Sequence, residues 1–415
     1  MERLHFKSLS TLRTIYIAGN GLESTYFNRM VDVYGKKNLF TFASGAGHSK
    51  RKLLLARAYS KSGLSYYHNI DSTVPRKTRD FRNLVDETKD QGGLETFAAL
   101  RYNAIDTGTI TKFLYGTEMI GATTALQGTA EYRAVHLLSL TSWMYSRTGF
   151  MDRIVQPLLP TAEPATYTAI RAHASTAMQK YRDSASCEQS KAQVSIIVEL
   201  PQAAYKHKTE LDDLDIASEC ADLLIAGIDT TSDTLMFLMW YLTLPRNARI
   251  QERLIKECQS IPDTTLYDDI VDLRIGDRLK YLNAVVKETL RLFALLPASE
   301  PRSSSVDTVI DEYSIPRGTV CSMTPYSLHR NNDVFLEPLK WNPERWLATD
   351  EQELTEMKKC ALLYRFYGTG IKPGFENIAP RITSRFEVFA DDTFAGMKEH
   401  TCWIEFTQYR NSKTY

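Results

Sequence analysis

The chain has 415 residues, 43% of them hydrophobic, enough to bury a sizeable core without disulfide staples or a structural metal. Its 50 Lys and Arg balance 50 Asp and Glu, which excludes the long-range positive field of a nucleic-acid or anionic-membrane binder and points to a small apolar partner. The six cysteines, Cys187, Cys220, Cys258, Cys321, Cys360 and Cys402, have neither CxxC spacing nor grouped histidines, so they read as buried thiols and not as a disulfide frame or a zinc site.

In chain order, Met1 to Lys7 carries charge where a signal peptide or membrane anchor needs an apolar run, so a cytoplasmic protein without a membrane span is expected. Residues 50–58 are basic on one face and leucine-rich on the other, the pattern of an amphipathic helix with a solvated basic face. The polar run 184–190 reads as a surface loop. A charged approach through Glu210, Asp212 and Asp213 leads into a long apolar helix near 219–244. Asp222, Asp229 and Asp233 interrupt that stretch and would be costly at bilayer depth, so it is a buried helix and not a span.

A second helix is predicted over about 279–295. Leu282, Val285, Val286 and Phe293 fall at helical spacing, and Glu288 and Arg291, three apart, are neighbours. Taken alone, that pair reads as a surface ion pair. Beyond Pro297 the texture changes: Ile315, Pro316, Arg317 and Gly318 make a turn, 319–323 a short strand, and 401–406 another. The prediction is one domain over 1–415, with a helical body at about 40–296 and a β-rich region at about 297–415.

Three strings occur in a telling order: Ala226-Gly227-Ile228-Asp229-Thr230-Thr231, then Glu288-Thr289-Leu290-Arg291, then Pro343-Glu344-Arg345-Trp346. This succession resembles the cytochrome P450 superfamily, in the texture of fungal members that act on terpenoids. Gly47 to Leu54, followed by Ala58-Tyr59-Ser60, is similar to the family's haem-flanking basic helix. Ser299 to Arg302, Ile315 to Thr319 and Leu328 to Arg330 fall where the family has similar strings.

The resemblance implies a mainly α fold with a small β-sheet region, N-terminally shortened. It implies a structural network of Glu288, Arg291 and Arg345 that locks the metal-ligand loop, because buried charges persist only when paired. Ala226, Gly227 and Thr231 would line the substrate pocket. Asp229 and Thr230 would be a proton-delivery pair on a helix locally opened at the glycine, or else an acid capping backbone groups beside a back-bonding threonine. Arg302 would bind the cofactor if haem is bound.

One departure bears on all of this. The family's iron is held by a cysteine thiolate whose electron donation favours O–O cleavage. The corresponding stretch, Phe366 to Ala379, keeps its glycines and Asn377-Ile378-Ala379 but has Pro373 or Gly374 at the ligand position, neither of which can coordinate a metal. The expectation is therefore no metal ligand and no cofactor, with a redox-neutral ring closure of the Diels-Alder type on a terpenoid, or an apolar metabolite more broadly. A haem monooxygenase with an unusual ligand, served by a reductase at the endoplasmic reticulum surface, is the first alternative; a non-catalytic metabolite-binding pseudoenzyme is the second.

Overall fold

A computed structural model describes residues 3–16, 22–24, 33–42, 45–60, 78–79, 81–87, 94–96, 99–100, 113–115, 165–184, 195–261, 266–267, 270–271, 276, 278–294, 301–347 and 403–404. The predictions made for 185–190, for Cys187, Cys360 and Cys402, and for the Pro373 and Gly374 loop lie outside these residues. The fold is mainly helical with a small sheet. The chain divides into two compact units, and each takes segments from both sides of residue 297. The first comprises Met1–Ile70, Ile105–Ile228 and Ala298–Leu328; the second comprises Asp71–Ala104, Asp229–Pro297 and His329–Tyr415.

In the first unit a four-stranded sheet runs in the order Arg3–His5, Val320–Ser322, Arg302–Ser304, Leu22–Ser24. Its first pair is parallel (Arg3 opposite Val320) and the other two are antiparallel. All three residues of Val320–Ser322 are buried, as expected of a strand paired on both sides. Ahead of it the predicted turn at 315–318 is present, with Gly318 at φ +77, a left-handed backbone that glycine adopts without a Cβ penalty. Ile15, Ile310, Ile315, Cys321, Met323 and Leu328 form the apolar cluster at this sheet.

The long helix begins at Asp213, six residues ahead of the predicted start, and runs to Thr243. Of the acids expected in its approach, Asp212 is instead its cap. Asp212 Oδ1 accepts from the Asp215 amide at 2.8 Å, and Asp215 Oδ2 accepts from the Asp212 amide at 3.1 Å, a reciprocal capping box that satisfies otherwise orphaned N–H groups. Ser184, expected in a loop, ends the helix Ala165–Ser184.

In the second unit the amphipathic helix Lys280–Leu292 buries Leu282, Val285 and Val286 as their spacing predicts. Its N-terminal amides are capped from another helix: Glu257, in Ala248–Gln259, accepts from Tyr281 N and Leu282 N at 2.8 Å each. Phe293 stacks on Phe237 with ring centroids 4.4 Å apart, in a core that includes Met236, Leu242, Leu254 and Trp341. Of the predicted strand 401–406, Trp403–Ile404 pairs antiparallel with Leu94–Glu95. Among the described residues no helix is long and apolar enough to cross a membrane.

Candidate functional site

Glu288 and Arg291 are not a surface pair. Both are fully buried, and the helix Lys280–Leu292 sets them one turn apart. Arg291 uses all five of its N–H donors: two on Glu288 (2.8 and 2.9 Å) and one each on the carbonyls of His329, Pro338 and Lys340. Glu288 accepts five bonds in all, the remaining three coming from Arg345 Nε (3.1 Å), the Asn342 amide (2.8 Å) and the Trp346 indole (3.0 Å). Arg345 also donates to the Leu336 carbonyl at 3.0 Å. Two arginines therefore converge on one carboxylate, and their remaining N–H groups hold backbone carbonyls of 329–340. The single-turn helix Pro343–Leu347 is fastened to Lys280–Leu292 in this way.

The Ala226–Thr231 stretch sits in the middle of the long helix, which is unbroken there. The local opening expected at Gly227 is absent. Glycine permits such an opening without enforcing it, and the Thr234 hydroxyl binds the Thr230 carbonyl one turn back at 2.8 Å, as threonines commonly do inside a regular helix. Ala226 is exposed while Ala221 and Leu224 before it are buried, so this part of the helix borders open space. Gly227, Thr230 and Thr231 are partly buried; the Asp229 side chain lies outside the description.

The basic helix spans Gly45–Leu55, and its charges have separate fates. Lys50 and Lys52 are exposed as expected, but Arg51 is buried against the fully buried Glu219 at 2.8 Å. Leu39 N–H bifurcates to both Glu219 oxygens at 3.1 and 3.2 Å. Burial outweighs the arginine here, so the Glu219 carboxyl titrates above its ordinary range. Sequence reasoning missed this pair because the two residues are 168 positions apart.

His48 and Lys52 are one turn apart on the basic helix, and Arg302 is on the adjoining sheet. Burial, and then the positive charges of Lys52 and Arg302, hold the His48 pKa below its ordinary value, with no acid among the groups acting on it. Arg302 itself donates to the Pro301 carbonyl and lies over the Tyr16 ring. Two positive charges therefore act on one imidazole that is held toward its neutral form, a grouping that suits carboxylates.

These features are those of a helical protein with a buried glutamate–arginine node and a basic helix, and residues 12–363 match the cytochrome P450 family. The chain belongs to that family. It is 32% identical to cytochrome P450 monooxygenase sdnH of Sordaria araneosa over 32% of this chain and 24% of that protein. It is 34% identical to cytochrome P450 monooxygenase hkm5 of Aspergillus hancockii (33% and 27%) and 34% identical to cytochrome P450 monooxygenase ORF11 of Penicillium roqueforti (34% and 28%). The chain thus spans about a quarter of the length of the curated relatives it matches.

The family implies haem, and the residues present fit it in part. The positive charges of Lys52 and Arg302, with the His48 imidazole on which they act, suit the acid groups of a porphyrin. The described thiols do not suit its iron. Cys220, Cys258 and Cys321 all have pKa values raised by burial, which disfavours the thiolate that binds metal, and all are built into helices or the sheet. No group of three or more metal-binding side chains is found among the described residues.

Proposed function

We propose that the chain is a haem-dependent monooxygenase of the P450 type, acting on a small apolar metabolite such as a terpenoid, with electrons from a reductase partner. The observation that carries this reading is the basic group beside the helix Gly45–Leu55, where the positive charges of Lys52 and Arg302 both act on His48 and suit an anionic cofactor edge. The names of its relatives agree with it. Haem, when bound, supplies the oxygen-activating iron. The chain's own residues do the rest. The basic helix and Arg302 hold the acid edge. Ala226, small and exposed on the long helix, borders open space with Gly227 beside it, and the balanced net charge suits an uncharged substrate body. Thr230 and Asp229 are the proposed proton-delivery pair, the hydroxyl relaying what the carboxyl supplies.

A second reading is favoured by the Phe366 to Ala379 stretch, in which Pro373 or Gly374 stands where sulfur is needed. Without the thiolate, a shaped apolar cavity can still fold a flexible substrate into a reactive conformer. Positioning alone removes up to roughly 7–11 kcal/mol of barrier in ideal intramolecular cases, enough for a redox-neutral ring closure.

One spectrum separates the two. The purified protein is reduced under carbon monoxide, and its Soret band is recorded. A shift to the thiolate position supports oxygen chemistry and removes the ring-closure reading. Haem bound without that shift leaves a non-thiolate ligand. A colourless protein that accelerates ring closure of a supplied diene supports the second reading, and binding of the diene without turnover marks a metabolite-binding pseudoenzyme.

A further inference from the structure

The basic helix and Arg302 come from distant parts of the sequence within the first unit, and like charges resist being brought together. Lys52 and Arg302 nevertheless both act on the His48 imidazole, so their carriers are held close. On the sheet side, Arg302 lies over the Tyr16 ring, 5.4 Å from its centre, and the Tyr16 hydroxyl accepts from the Met323 amide at 2.9 Å. On the helix side there are two fastenings, one ahead of His48 and one behind it. Behind it, Arg51 is bonded to Glu219 of the long helix at 2.8 Å. Ahead of it, Gly45, the first residue of the helix, donates its amide to Glu23 Oε1 at 3.0 Å.

Glu23 belongs to the strand Leu22–Ser24, which pairs antiparallel with Arg302–Ser304, and its neighbour Ser24 is directly opposite Arg302. The acid that receives the first amide of the helix is thus one strand and one residue away from the arginine. A carboxylate suits that end of a helix, whose leading N–H groups lack partners of their own and whose dipole favours negative charge. By its charge alone, an acid here opposes an anionic ligand. By its bond, it joins the carrier of Lys52 to the sheet that carries Arg302. We propose that Glu23 is a positioning residue for the basic group: by accepting from the Gly45 amide it seats the first turn of the helix on the sheet, so that a carboxylate-bearing ligand meets Lys52 and Arg302 already in place. This rests on the acid-edge reading above and adds the residue that keeps the site formed before the ligand arrives.

The test measures binding of the full chain to metal-free protoporphyrin IX, which carries carboxylates, and to its dimethyl ester, which carries none, by fluorescence titration. Without iron, neither probe depends on a metal ligand. The wild-type protein is expected to prefer the acid. In Glu23→Ala the acid-to-ester affinity ratio should fall roughly two- to fivefold, the scale of one helix-terminus contact acting through a shift in population, while the ester binds as before. Glu23→Gln keeps an oxygen for the Gly45 amide and should recover most of the ratio. Charge alone predicts the opposite sign, because either substitution removes a negative group and would raise the ratio. A ratio unchanged or raised in Glu23→Ala overturns the proposal, as does a Glu23→Gln ratio as low as that of Glu23→Ala. A wild-type protein without any preference for the acid removes the acid-edge reading itself, whereas a wild-type preference that Glu23→Ala leaves intact removes only the role of Glu23.

Discussion

Glu288 and Asp222 are both acids within helices of this chain, and their surroundings are opposites. Glu288 receives five hydrogen bonds from two arginines, an indole and a backbone amide; Asp222 receives none among the described residues and has a second carboxylate for company. A saturated buried charge holds neighbouring elements in one arrangement, because every alternative leaves a donor or acceptor bare. An unsaturated one does the reverse: it costs stability and leaves a bonding capacity unused. The first pattern is that of scaffolding and the second is a cost to the fold, so substitutions at each should move stability in opposite directions.

The largest effect is expected at the saturated acid. Glu288→Ala leaves the Arg291 guanidinium fully buried with its carboxylate partner gone, and breaking such a pair costs about 3–5 kcal/mol. Denaturant unfolding should show that loss, or the soluble yield should collapse. A loss below about 1 kcal/mol would place Glu288 with ordinary surface acids and dissolve the contrast.

Asp222→Asn should act the other way, and the sign follows from its titration. The folded carboxyl sits at about 7 against an ordinary 3.8, so between those values the unfolded chain has released a proton that the native state still holds. Native stability is then lost as pH rises from about 4 to about 7 and stays low above that. Asparagine removes this penalty. The variant should be more stable than wild type by about 1–4 kcal/mol at pH 8 and by clearly less at pH 5, read from paired thermal or urea melts. Equal gains at both values would show that the carboxyl is not held in its neutral form.

The two acids also differed in how legible they were. Helix Lys280–Leu292 and the pairing of Glu288 with Arg291 could be read from periodicity, because both are local. Their burial could not, since the same spacing serves a surface pair, and only the order of strings ending at Arg345 pointed inward. Asp222 was noticed, but only as a residue unsuited to a membrane; its lack of a partner is a fact about everything else in the fold and leaves no trace in neighbouring letters. Asp212 and Asp215 do leave a local signal, an acid three residues after an acid ahead of an apolar run, but the charged approach through Glu210, Asp212 and Asp213 passes over Asp215 and so misses the cap. Pairings such as Arg3 with Val320 and Arg51 with Glu219 join distant segments, and nothing local fixes their register.

A gentler probe of the saturated node is Arg345→Lys. Lysine keeps the charge but cannot serve Glu288 and the Leu336 carbonyl together, as the planar guanidinium does. Its cost should be about 1–2 kcal/mol in denaturant unfolding, well under that of Glu288→Ala, since Arg291 still holds the carboxylate. A loss equal to that of Glu288→Ala would make the second arginine, and not the first, the main support of the node.

The smallest effect is expected at the pair between these extremes. Arg51 and Glu219 are buried and bonded, yet Glu219 still titrates above its ordinary range, so burial costs the carboxylate more than the arginine returns. Removing Arg51 alone, as Arg51→Met, leaves that acid buried, and it can escape the penalty only by taking a proton; the loss should therefore grow with pH. Adding Glu219→Gln removes the charge and keeps an oxygen for the Leu39 amide, which would otherwise be bare. The double variant should then lie within about 1 kcal/mol of wild type, with the single change worse than the double. If the double is as unstable as Arg51→Met alone, the arginine contributes through packing over the Phe42 ring and not through its charge, and the pair belongs with the scaffold.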